Sequence, residues 1–336
     1  VSATSTTVGP MTSSAILDFP SFDYFAGRPP ADIRVQRRSD LLAQGLTDID
    51  IRVQVRRGQL TRIRHGIYAD AIGLAGADPE ALHLAHLRAA LLAATEPALA
   101  VGPSAALLHG MPIGRKALTD LHIARESDQD PRSLRRPSKH RLELPPTVIV
   151  THQNASLGAT SLREIPVVSR SVAAVTSAHL VSFSRRVGLL DSVLWSPGVS
   201  ADDLRELARE WQHLGGLDMV IDALAYARRG AQTYLETLSR LTLVRLGLPE
   251  PELQVPFYDK DGLIGFADMY WPSLNVIGEA DGALKYGGQR DIVKEKRRES
   301  RLRAKGHGVV RWMQPDILER PQEIVEQVRR EGRRAA

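Results

Sequence analysis

The stretch NVIGEADGALKYGG, Asn275 to Gly288, sets two carboxylates, Glu279 and Asp281, where a short apolar run through Val276 and Ile277 should end as a strand. Alternate strand residues share a face, so the two acids stand about 7 Å apart on one side. Like charges that close call for a cation between them or a proton on one of them. Asp268 falls near the end of the preceding strand-like segment, and Glu236 projects from a helix before it. If those two strands run antiparallel about a Pro272–Ser273 turn, Asp268 comes beside Glu279 across the ladder. Such oxygen donors, without Cys or His, suit Mg²⁺ or Mn²⁺ rather than zinc, with Asp268, Glu279 and Asp281 as the candidate ligands. An ion there would polarise a phosphoryl oxygen and acidify an attacking water. The competing reading makes each acid a solvent-facing strand end beside a basic neighbour.

The elements that must position these acids read α-β-β-β-α-β from Ala231 onward. TYLETLSRLTLVRLGL is an amphipathic helix, and PELQVPFYDKDGLIGFADMYWPSLNVIGEAD is three strands turning at Asp261–Gly262 and Pro272–Ser273. RDIVKEKRRESRLRAKG is a basic helix, HGVVRWM a last strand and PDILERPQEIVEQVRREGRR a terminal helix. On the basic helix Lys294, Arg297, Arg298 and Arg301 interleave with Glu295 and Glu299, while Ile292, Val293 and Leu302 are expected to face the sheet. Pairs at i, i+4 account for such charges in an ordinary helix. Beside an acidic metal pocket, Lys294, Arg297 and Arg301 would instead meet a polyanionic substrate.

A second basic cluster lies near the start. RRSDLLAQGLTDIDIRVQVRRGQLTRIRHGIYAD reads as helix, turn and helix, then a hairpin about His65–Gly66. Thr47 is the expected N-cap of the second helix, with Ile51 and Val55 as its buried face. Helix, turn, helix and basic hairpin make a winged-helix pattern. Arg52, Arg56, Arg57, Arg62, Arg64 and His65 would then converge on a duplex, helix in the major groove and hairpin on backbone or minor groove. The plainer alternative is a small helical unit kept soluble by its arginines.

Between Pro79 and Gly230 the signals are structural: amphipathic helices, strands at DLHIAR and TVIVTH, and a charged loop between them. His83 and His86 are three apart on one helix, and packing explains them better than metal binding. The chain of 336 residues exceeds one ordinary core, so two or three domains are expected. It has no cysteine, which excludes disulfides and thiolate metal sites and suits a cytoplasmic protein. No apolar run reaches the ~18 residues of a membrane helix, so no membrane partner is expected. The net charge of +5 is a mild pointer to polyanions.

The ordered set GFADMYWPSLNVIGEADGALKYG…EKRRESRLRAKGHGVVRW resembles the very-short-patch-repair type of endonuclease domain, within the PD-(D/E)XK superfamily. That resemblance covers roughly Glu236 to Asp316. It implies Asp268 and Glu279 as ligands of Mg²⁺ or Mn²⁺ and Glu236 as the group orienting a metal-bound water. Asp281 takes the slot usually held by lysine, so Lys285 or Lys296 would have to supply that charge from nearby. Without such a cation the domain would bind DNA and leave it uncut. The front of the chain, about Arg37 to Met111, resembles the winged-helix domain of AbiE-type (type IV) antitoxins, which implies a promoter as target and a cognate toxin as partner. The expectation is therefore an α+β multidomain chain: a disordered tail over 1–29, a winged helix over 30–78, a mixed α/β middle domain over 79–230, and a restriction-endonuclease-like αβββαβ core over 231–336. Double-stranded DNA is the expected partner of both ends.

Overall fold

The computed structural model describes residues 30–126, 138–140, 147–153, 159–281 and 289–335. The expected tail, most of the charged loop between the middle strands, and Lys285 lie outside them. The chain is a mixed α/β protein with three separate sheets and 13 α-helices among the described residues.

The first sheet joins β1 (Val35–Arg37), β2 (Leu60–Arg64) and β3 (Ile67–Asp70) in the antiparallel order β1-β3-β2. Between β1 and β2 run α1 (Arg38–Ala43) and α2 (Asp48–Arg56). Thr47 caps α2: its hydroxyl accepts the Asp50 N–H at 3.2 Å while the Asp50 carboxylate accepts the Thr47 N–H at 2.8 Å. Of the two apolar residues expected inside, Ile51 is buried and Val55 is exposed. After α3 (Ala71–Ala75) comes α4 (Pro79–Ala93), started by Asp78, whose carboxylate accepts the Ala81 N–H at 2.7 Å. Ala81, Ala85 and Ala89 on α4 pack into the first core and Leu84 and Leu87 into the second, so α4 serves both units.

The second sheet has six strands: β4 (Leu99–Ala100), β5 (Leu121–Glu126), β6 (Ser138–His140), β7 (Val148–Gln153), β8 (Thr160–Leu162) and β9 (Ile165–Val167), in the order β6-β7-β5-β4-β9-β8. Its core is closed by α5 (Gly102–Leu108), α6 (Arg170–Ser177), α7 (Phe183–Leu194), α8 (Ala201–Glu210) and α9 (Leu217–Leu224). His83 is a packing residue: Nδ1 faces the Leu118 carbonyl at 3.0 Å and Nε2 the Ser104 hydroxyl at 2.8 Å.

The third unit begins with α10 (Tyr234–Arg245) and continues through β10 (Glu252–Asp259), β11 (Gly262–Trp271), β12 (Val276–Asp281), α11 (Gln289–Ala304), β13 (Gly308–Met313), α12 (Gln314–Glu319) and α13 (Pro321–Ala335). The sheet order is β10-β11-β12-β13, antiparallel except for the parallel pair β12–β13. Trp271 and Trp312 fill one face with Leu243 of α10 and Val325 and Val328 of α13. Both indole N–H groups are satisfied, by the Pro249 carbonyl at 2.9 Å and the Ser239 hydroxyl at 2.7 Å. Gly278 is what lets them in, since a Cβ there would sit 2.6 Å from the Trp312 ring and 2.8 Å from that of Trp271. Leu302 of α11 covers the other face with Ile277 and Val309, while Val293, expected inside, is exposed.

Candidate functional site

The acids that opened the sequence reading stand in a row across this third sheet. The pairs Leu253–Met269 and Val255–Ala267 flank Gln254 and leave it opposite Asp268. The β11–β12 ladder runs out at Met269–Gly278, one step short of Asp268 and Glu279. There Asp268 replaces a backbone acceptor: its Oδ2 takes the Ala280 N–H at 2.9 Å. Glu279 in turn is paired with Arg311 on β13. Gln254, Asp268, Glu279 and Arg311 therefore occupy consecutive strands at one level.

Glu236 joins the end of this row from α10. It is buried, and Thr233 and Gln232 donate to it at 3.0 Å and 2.8 Å, so its carboxylate also caps its own helix. The Gln254 side-chain amide lies 3.4 Å from Glu236 Oε2 and 3.5 Å from Asp268 Oδ1, spanning the two acids. Gln254 holds this place with a positive φ of 52°, rare for a residue with a side chain.

Above the row lies α11. Arg298 donates to Glu279 Oε1 at 2.8 Å, to Glu295 at 2.9 Å and to the Phe266 carbonyl at 2.6 Å. Burial, followed by the negative charge of Asp268, pushes the Glu279 carboxyl up to about 7 despite Arg298 and Arg311. Asp281 behaves differently. Arg311 donates to its Oδ2 at 3.0 Å and also reaches Glu295 and Glu299, and these carboxylates hold the Arg311 guanidinium above its ordinary pKa. Glu279 and Asp281 pair directly with different arginines, Arg298 and Arg311, and both feel the charge of Arg311.

Asp268 and Glu279 fit a divalent cation. They are two buried carboxylates on neighbouring strands, and burial, then the charge of Asp268, raises the proton affinity of the second. Mg²⁺ is commonly held by one or two carboxylates, with waters and substrate phosphate completing the shell. Asp281, the third candidate ligand, is engaged by Arg311, as Glu279 is by Arg298. Among the described residues no group of three or more Asp, Glu or His is arranged to hold a metal.

Lys296, the sequence candidate for the missing positive charge, is exposed, makes no ion pair, and stands about half a turn around α11 from Arg298. Lys285 lies outside the described residues. The cations at the row are Arg298 and Arg311. Of the α11 residues expected on nucleic acid, Lys294 and Arg297 are exposed and make no ion pair among the described residues, whereas Arg301 is clasped by Asp259, with both oxygens at 2.6 Å. That clasp holds the Asp259 carboxyl down to about 2.

In the first unit Arg52, Arg56, Arg57, Arg62 and His65 are exposed. Arg62 Nη2 meets His65 Nδ1 at 2.8 Å at the hairpin tip. Arg64 is half-buried, and burial lowers the pKa of its guanidinium.

No protein-family model matches the chain. It is similar to the uncharacterized protein MT2308 of Mycobacterium tuberculosis (strain CDC 1551 / Oshkosh) and to the uncharacterized protein Rv2248 of the same species (strain ATCC 25618 / H37Rv). Each is 23% identical over 291 residues, a match spanning 86% of this chain and 98% of the relative. The likeness runs through all three units.

Gln254 escaped the sequence reading for a physical reason. From Asp259–Gly262 the hairpin register would put Gln254 opposite Ala267. A bulge between Phe257 and Tyr258 shifts it by one, which moves Gln254 to the face of Asp268. Arg298 was visible as one of four cations on α11, but its partner depends on helix rotation over the sheet.

Proposed function

We propose that the chain is a DNA-binding protein whose third unit is a metal-dependent phosphodiesterase of endonuclease type. The observation that carries this is the pair of buried carboxylates, Asp268 and Glu279, side by side one step beyond the last β11–β12 pair. Asp268 and Glu279 would hold Mg²⁺ or Mn²⁺, which when bound polarises the phosphodiester and acidifies a water. Gln254 spans Asp268 and Glu236 and fixes the orientation of both carboxylates. Arg298, rather than Lys296, is the cation placed to neutralise charge developing on a phosphoryl oxygen. Exposed Lys294 and Arg297 are available to adjacent phosphates.

The first unit supports the DNA-binding half of the proposal. Two short helices followed by a hairpin, with β1 closing the sheet beside β3, support the winged-helix reading. Its exposed arginines on α2 and the hairpin would contact backbone first.

One observation favours a second reading, in which the nuclease-like unit is inactive and the chain acts as an antitoxin-type regulator on its own promoter. Arg298 already satisfies Glu279 and Arg311 satisfies Asp281, so the acids balance internally. Supercoiled plasmid incubated with protein and Mg²⁺ separates the two. The phosphodiesterase reading expects nicking that EDTA stops and that Asp268→Ala and Glu279→Gln each abolish. Tight retardation of the chain's own promoter fragment with no nicking in either metal would select the regulator.

A further inference from the structure

Far from the acidic row, the second sheet borders a cavity of about 380 Å³. Its floor is made by His122 on β5 and Thr151 on β7, neighbouring parallel strands. His122 is 9% exposed and Thr151 3%. Among the described residues the His122 imidazole and the Thr151 hydroxyl have no hydrogen-bond partner, and both line the cavity. Thr176 beside them is different: its hydroxyl donates to the Val172 carbonyl at 2.6 Å and accepts the Gly102 N–H at 3.1 Å. Polar groups without a protein partner, open to a cavity of this size on an otherwise buried floor, mark the place of a ligand.

The rest of the lining defines that ligand. Val101, Ile149 and Leu214 give apolar walls suited to a flat ring. Burial holds the His122 imidazole down to about 3, so at neutral pH it is an uncharged donor and acceptor, as is needed to read the edge of a heterocycle. Lys116 in the lining is exposed and makes no ion pair among the described residues, which leaves it for an anionic group, and Asp120 can accept from a hydroxyl.

We propose that this cavity is a binding site for a small planar nitrogen heterocycle carrying an anionic group, of the nucleoside-monophosphate kind. Ring edge atoms take the places left open on His122 and Thr151, and the phosphate meets Lys116. The site is independent of the nuclease reading.

The test is calorimetric titration of AMP, GMP, CMP, UMP and inorganic phosphate, separately, into the full chain and into its Thr151→Val and Lys116→Ala variants. At least one nucleotide binds with Kd below about 1 mM, and each variant weakens that binding about tenfold or more. Lys116 is exposed, so its variant keeps the fold and carries the test if Thr151→Val is unstable. The proposal is overturned if none of the four nucleotides binds, if inorganic phosphate binds as tightly as they do, or if either folded variant leaves the affinity unchanged.

Discussion

Asp191 on α7 and Arg240 on α10 form an ion pair sealed from solvent, Oδ2 to Nη2 at 3.2 Å. The Thr237 hydroxyl and the Arg228 N–H also donate to Asp191, at 2.8 Å and 2.7 Å. This pair locks the middle unit to the helix that carries Glu236. Removing Asp191 leaves the buried Arg240 with only the half-exposed Glu250, at 3.1 Å, and leaves the Thr237 hydroxyl and Arg228 N–H without their acceptor, so Asp191→Ala costs about 3 kcal/mol of unfolding free energy. Urea titration reads that loss. Because α10 is then free to shift, the variant also loses affinity for divalent metal at a site formed entirely in another unit.

Glu279 predicts a pH signature. Its carboxyl is raised from an ordinary 4.5 to about 7 in the folded chain, mainly by burial and then by Asp268. The unfolded chain releases this proton first, so the group lowers stability as pH rises from about 4.5 to about 7, and the loss is complete above that window. Glu279→Gln removes the titration. The variant should match wild type near pH 4.5 and exceed it by about 3 kcal/mol at pH 8, in metal-free urea titrations at both pH values. Saturating Mn²⁺ should close that gap, because only the wild type binds it.

The basic residues divide by what already holds them. Lys294 and Arg297 make no ion pair among the described residues and Arg301 is clasped by Asp259. Lys294→Ala with Arg297→Ala should therefore weaken duplex binding and reduce the salt slope by about two, whereas Arg301→Ala changes the slope by well under about one. Arg62→Ala at the hairpin tip should weaken binding to all duplexes alike if it contacts backbone. Fluorescence anisotropy over a range of KCl concentrations measures each of these.

Much of the fold was legible because its signals are local. Thr47 with Asp50 marks the start of α2, His65–Gly66 the first hairpin and Asp261–Gly262 the second, and each needs only a few neighbouring residues. The carboxylates were legible too, since Glu279 and Asp281 end an apolar strand. What could not be read was long-range. Strands β1, β4, β8 and β9 are two or three residues long and exist only through partners distant in the chain. A one-residue bulge decides where Gln254 points. The separate pairing of Glu279 with Arg298 and Asp281 with Arg311 depends on how α11 lies over β13, and no spacing encodes that.

Gln254 gives a sharper test of the acidic row than any further carboxylate. It is uncharged, so Gln254→Leu leaves the electrostatics of Asp268 and Glu279 in place and removes only the amide between Asp268 and Glu236. Loss of a partner that orients a ligand costs about tenfold or more in metal affinity, and a change of that order is expected here with little loss of stability.

The most direct measurement is calorimetric titration of Mn²⁺ into wild-type protein and into Asp268→Ala. The account predicts one binding event per chain in the wild type and none in the variant, with both proteins folded by circular dichroism. Binding of equal strength in the two, or none in either, would contradict a metal site built on Asp268 and Glu279.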